Sequence, residues 1–236
     1  MAGRDPHAAH RSVSGGLARA AVFGVNDGLV SNVSLVLGFA GSGADSSVVR
    51  LAGLAGAIAG AVSMAAGEWV SISAQNDLVE RELEVERREL LHNTTSETSE
   101  LVDMYEAHGM TRASAQSAAE QVMREPERAL VVHAREEFGV DPYDLPSPWR
   151  AAVLSLVCFL VGALAPVVPW FFDVSGTAPK VTSLVIGAVA AAVVGALLGR
   201  LSERPLAPAM IRQVLIVLAA CAVTFLVGRL VGINVS

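Results

Sequence analysis

The sequence predicts an all-α polytopic membrane protein with five transmembrane helices and a cytoplasmic helical insert between the second and the third. Three observations predict it. Hydrophobic residues make up 53% of the 236 positions and charged residues 17%, more apolar and less charged than a typical soluble domain. Five stretches reach the roughly 20 apolar residues that a helix needs to cross a bilayer, where unpaired backbone groups are not tolerated. The charges, by contrast, are crowded. Asp77 to Arg150 holds 17 acidic and 8 basic residues, a formal charge of -9 in a chain whose total is -6.

Residues 1–16, MAGRDPHAAHRSVSGG, form a polar tail without the layout of a cleavable signal, so the first span is expected to be retained. Residues 17–76 hold the first two spans, Leu17–Ala40 and Leu51–Ser73, joined by the short turn GSGADSSVVR. Asn26, Asp27, Asn32 and Glu68 make these two the least purely apolar and mark them as candidates for a pathway. Residues 77–150 are the insert. Asp77–Leu91, rich in Glu, Leu and Arg, should carry span two on as a helix into water. Helices at Ser96–His108, Thr111–Arg124 and Glu127–Phe138 should follow, with Gly109 and Gly139 as stops, before the loop DPYDLPSPW. Residues 151–236 supply the last spans, Ala151–Phe172, Val181–Gly199 and Val214–Val231.

Lys and Arg near the span ends set the orientation. Arg4, Arg11, Arg19, Arg81, Arg87, Arg88, Arg150, Arg200, Arg204 and Arg212 outnumber Arg50, Lys180 and Arg229, which places the N-terminus and the insert in the cytoplasm. Gly24 with Gly28, Gly56 with Gly60, and Gly195 with Gly199 stand at the spacing that lets helix backbones approach, within one chain or across a dimer. Cys158 and Cys221 lie in apolar runs and read as small buried hydrophobes.

Asp27 falls about ten residues into span one, where an ionised carboxylate is costly unless solvated, paired or bound to a cation. A hydrogen bond to Asn26 or a neighbouring helix, or protonation, would be the structural alternative. Met64 and Glu68 are four apart on one helical face, and a thioether beside a carboxylate suits a transition metal, although Met alone also serves packing. In the insert, Glu82, Glu86 and Glu89 share a face at i, i+4 and i+7; Glu97 and Glu100 are i, i+3; His133 and Glu137 are i, i+4. Each helix can offer a pair of oxygen or imidazole ligands whose repulsion divalent cations would relieve; the alternative is a merely solvated acidic face. The negative insert argues against nucleic acid and for cations as partners. There is no phosphate loop, HExxH, GxSxG or CxxC, so the chain is not expected to be an enzyme.

VNDGLVSNVSLVLG in span one, SMAAGEWVS in span two, ExxE at Glu86 and Glu89 and again at Glu97 and Glu100, and EEFGV at the end of the insert occur in that order. With them the chain resembles the vacuolar iron transporter family over essentially everything after Arg11, as a bacterial member. The resemblance implies five-span protomers that form a homodimer, with a path at the dimer interface lined by the first two spans. It assigns Asp27 and Met64 to intramembrane metal ligands, and Glu68 to a motif glutamate near the cytoplasmic end of the path. Glu86, Glu89, Glu97, Glu100 and Glu137 match the glutamates of the family's cytoplasmic metal-binding domain. Where plant members carry two methionines this chain has His133 and Ala134, of which His133 can still ligate.

Resemblance and chemistry together imply a transporter moving Fe(II), and Mn(II) besides, out of the cytoplasm by proton antiport. Metal is then substrate rather than bound cofactor, the partners are divalent ions, protons, the bilayer and a second copy, and the setting is a bacterial plasma membrane. A passive cation channel using the same residues, or a membrane-anchored iron sensor or store, are the alternatives.

Overall fold

The computed structural model describes residues 16–172 and 176–233, the side chains of residues 16–19 and 233 excepted. The expected polar tail, with Arg4 and Arg11, lies outside these residues, as does the side chain of Arg19. The helices are α1 (Gly16–Gly41), α2 (Ser46–His92), α3 (Thr94–Ala107), α4 (Arg112–Val122), α5 (Pro126–Glu137), α6 (Pro148–Leu164), α7 (Ala178–Leu201) and α8 (Leu206–Ile233). No strand occurs among the described residues. Among the described residues five helical stretches are long and apolar enough to cross a membrane, within α1, α2, α6 with its continuation, α7 and α8, which bears out the expected all-α class with five spanning helices. The chain divides into two compact units, one comprising the sequence up to Trp69 and from Pro148 onward, the other Val70–Ser147.

In the first unit α1 is the central post, packed against α6, α7 and α8. Leu29, Val33 and Leu37 of α1 form one cluster with Ala191 of α7 and with Val217 and Cys221 of α8. Ala57 and Ala61 of α2 pack on Phe159 and Ala163 of α6. Small residues allow these approaches. A Cβ on Gly28 would run into the backbone of Phe159, and one on Gly162 into the carbonyl of Val25, so α1 and α6 touch backbone to backbone. Gly60 accommodates the Phe159 ring, and Gly195 and Gly199 admit the start of α8. All three glycine pairs are thus used within the chain. Cys221 is buried as expected, while Cys158 is only half-buried.

Polar ties complete the packing. Asn32 of α1 donates from Nδ2 to the carbonyls of Gly53 (3.1 Å) and Ala163 (2.6 Å), and Gln213 of α8 donates from Nε2 to Asn26. The outer faces are apolar, and only 11% of the most apolar window of α8 is buried, as befits helices solvated by lipid. Trp69 and Trp149 meet with ring centroids 6.0 Å apart, and the Arg50 guanidinium sits 5.5 Å from the Phe171 ring centre.

The third span departs from the single helix expected over Ala151–Phe172. α6 stops at Leu164 and the chain tightens into a 3-10 segment, Ala165–Phe171. Pro166 and Pro169 are the cause, since neither has an N–H to give to the preceding turn. The carbonyl of Pro166 is satisfied from α7 instead: Ser183 Oγ donates to it at 2.7 Å and accepts from Trp170 Nε1 at 2.9 Å. In an apolar setting that side-chain bridge replaces the missing backbone bonds.

The second unit contains the charged half of α2 with α3, α4 and α5. Leu83 and Leu90 pack against Ala129, Leu130 and Ala134, while Leu101 and Val102 pack against Ala115 and Ala119. α3 starts two residues before the expected Ser96, at Thr94; Asn93 precedes it without capping, its amide donating instead to Glu89. Thr111 caps α4 by accepting from the Ser114 N–H, and Pro126 opens α5, where its missing N–H costs nothing. Gly109 and Gly139 have φ of 92° and 66°, the left-handed turns that end α3 and α5.

Gly162→Ala should destabilise the protein by about 1–3 kcal/mol, because the added methyl meets backbone that can retreat only by moving α1. Val193→Ala, on an outward-facing residue that is 62% exposed, should change little. Thermal unfolding of the two variants in detergent checks the contrast.

Candidate metal centre

Four side chains able to ligate a metal converge in the second unit: Glu86 from α2, Glu97 from the first turn of α3, and His133 and Glu137 one turn apart on α5. Helical register explains why these and not their neighbours. Glu86 lies three residues after Leu83 and four before Leu90, so the stripe that buries the leucines buries the carboxylate between them. Glu97 likewise shares a face with Leu101, and His133 with Ala129 and Leu130. Glu82 points to solvent, Glu89 is half-buried and accepts from Asn93, and Glu100 is exposed. The face inferred from Glu82, Glu86 and Glu89 therefore divides, and one of its three members enters the cluster.

The four ligand atoms lie within 4.8 Å of one another. His133 Nδ1 is 2.9 Å from Glu137 Oε1, 3.1 Å from Glu86 Oε1 and 3.8 Å from Glu97 Oε2. Metal–ligand bonds of about 2.0–2.2 Å put donors around a six-coordinate ion roughly 3–4.4 Å apart, so a small contraction would close the cluster on a cation. Three carboxylates and one imidazole, with no thiolate, suit Mn(II), Fe(II) or Zn(II) and not Cu(I).

By itself the cluster is poorly satisfied. His133 is fully buried and its Nδ1 hydrogen-bonds to Glu137, which leaves Glu86 Oε1 close by but without an aligned donor. His133 Nε2 is also buried without a partner among the described residues. Burial, and then the negative charge of Glu137, push the Glu86 pKa up to about 7, against the opposing pull of His133. Burial first and Glu100 second raise Glu97 as well. A divalent cation would supply the positive charge that one imidazole cannot give to three carboxylates.

The first unit carries a second arrangement. Asp27, Ser31 and Asn32 of α1, Ser63 and Met64 of α2, and Phe159 of α6 line an open concavity of about 400 Å³. Asp27 is exposed to it, and Met64 reaches it from the edge of the Phe159 cluster, so its thioether both packs and lines the space. Glu68 is one turn farther along α2, is not among the lining residues, and keeps Oε1 buried without a partner among the described residues. Asp27 and Met64 thus line one concavity, and Glu68 stands one turn beyond its lining residues.

The VIT family model matches residues 18–229. Vacuolar iron transporter 1 of Oryza sativa subsp. japonica is 28% identical over 217 residues, covering 92% of this chain and 86% of that protein. The vacuolar iron transporter of Acanthamoeba castellanii is 35% identical over 197 residues, covering 80% and 71%. Vacuolar iron transporter 1 of Arabidopsis thaliana is 26% identical over 182 residues, covering 77% and 73%.

With its folded-state pKa raised from 4.5 to about 7, Glu86 favours the folded state fully below pH 4.5 and loses that contribution as pH rises through 7. Metal-free protein should therefore melt at progressively lower temperature between pH 5 and pH 8. Glu86→Gln should flatten that slope, and Mn(II) should restore the melting temperature at pH 8. Melting curves across this range, with and without metal, check all three.

Proposed function

The chain belongs to the VIT family, and from that premise we propose that this integral membrane protein exports Fe(II), and Mn(II) besides, from the cytoplasm in exchange for inward protons. It is no enzyme, and the ion is substrate rather than cofactor. The observation that carries the reading is the groove that Asp27 of α1 and Met64 of α2 line together. A carboxylate exposed on a bilayer-spanning helix is tolerated where ions or water reach it, and a thioether beside it discriminates against magnesium and calcium.

In this reading the insert gathers metal at Glu86, Glu97, His133 and Glu137, with Glu89 and Glu100 as outlying carboxylates that add attraction. Asp27, Met64 and Glu68 then receive the ion, and protonation on the far side releases it, because protons and metal compete for the same oxygens. The groove is open on the single chain, and apolar side chains such as Phe23, Ile58 and Val62 are exposed on the same two helices. A second copy placed there would shield Asp27 from lipid, which supports a homodimer with the path at its interface. The N-terminus and insert are assigned to the cytoplasm by the positive-inside excess.

The insert assembles all four ligands from its own helices, and this favours a second reading, an iron sensor or store anchored by its spans. Transport separates the two. Reconstituted protein should take up Fe(II) and Mn(II) faster under a pH gradient, and Asp27→Ala should reduce uptake to the level of empty vesicles while the protein stays folded. Uptake indifferent to the gradient would indicate a passive channel. Metal binding without any uptake would indicate the sensor.

A further inference from the structure

One polar atom in the groove is left unused by this path. Asn32 is 2% exposed, and its two amide hydrogens are spent on carbonyls of two different helices, those of Gly53 and Ala163. The amide therefore cannot flip, since flipping would set its oxygen against both carbonyl oxygens. Oδ1 is left fixed, buried and without a partner among the described residues. A Cβ built on Gly56 would stand 2.9 Å from that oxygen, and Asn32 and Gly56 line the same concavity as Asp27 and Met64. Leu35 leans over the same glycine. The ties between helices need only the nitrogen, while an amide oxygen stranded in a low dielectric is costly.

We propose that Asn32 Oδ1 is a further oxygen ligand for the travelling cation, joining the Asp27 carboxylate and the Met64 thioether, with the Leu35 side chain covering it until the ion arrives. The inference rests on the transport reading and deepens it. A neutral, hard oxygen beside one charged and one soft donor favours Mn(II) and Fe(II) over a softer ion such as Cd(II). The bare Cα of Gly56 then keeps the approach to the oxygen open.

The test compares Mn(II) and Cd(II) uptake by full-length protein in vesicles for the wild type, Gly56→Ala and Asn32→Leu. Gly56→Ala blocks the oxygen while leaving both amide N–H bonds in place, and the atom it crowds most closely is the mobile end of Leu35. In both variants the KM for Mn(II) should rise at least about fivefold, while that for Cd(II) changes less than about twofold. If Asn32→Leu fails to fold, Gly56→Ala decides alone. Unchanged constants in Gly56→Ala, or equal rises for both ions, would overturn the proposal and leave Asn32 as a tie between helices. A wild type that takes up neither ion would sink the transport reading itself, and this inference with it.

Discussion

Hydrocarbon offers no water to complete an unpaired amide or carboxylate, and α1 carries Asn26, Asp27, Ser31, Asn32 and Ser34 through the apolar part of the first unit. Each of these must be met by protein or by something that travels, and the arrangement of the other spans follows. α6 comes to backbone contact so that the Ala163 carbonyl reaches Asn32, and α8 brings Gln213 to Asn26. Asp27, between these two amides in sequence, is a charged group that opens into the groove. Glycine is what makes such satisfaction geometrically available, because a side chain at Gly28 or Gly162 would hold the helices too far apart.

The second unit meets the opposite difficulty. Here the leucine stripe of α2 and the alanine-rich face of α5 draw three carboxylates and an imidazole inward with them. Apolar burial holds the helices together, and the charges resist it; Glu86 answers by keeping its proton to about pH 7. Such a cluster is electrostatically incomplete as it stands, since one imidazole faces three carboxylates.

Much of this was legible in the chain. The five apolar runs, the continuation of span two into the insert, and the stops at Gly109 and Gly139 rest on composition and local conformation, which tertiary packing has little power to override. The break after Leu164 was written in Pro166 and Pro169 but is masked by the hydropathy of the surrounding run. Among Glu82, Glu86 and Glu89, spacing alone could not choose; the choice depends on register against Leu83 and Leu90, a signal present in the sequence once apolar and acidic positions are read on one wheel. The orphaned oxygen of Asn32 is different, since which end of an amide is spent depends on carbonyls at Gly53 and Ala163 that only the folded chain brings near.

The aromatic groups at the two ends of the third span have a consequence for the bilayer. Trp149 stands largely exposed at the start of α6, and Phe171 and Phe172 are exposed at its far end, beside Arg50. At about 1.5 Å per residue in α6 and 2.0 Å in the 3-10 segment, they are separated by roughly 35 Å, close to the thickness of a hydrocarbon core with its interfacial edges. Rings of this kind settle at the headgroup level, and the Ser183 bridge ties the 3-10 end to α7. A membrane thinner or thicker than this span would meet a mismatch, taken up by tilting of the protein or by deformation of the lipids around it.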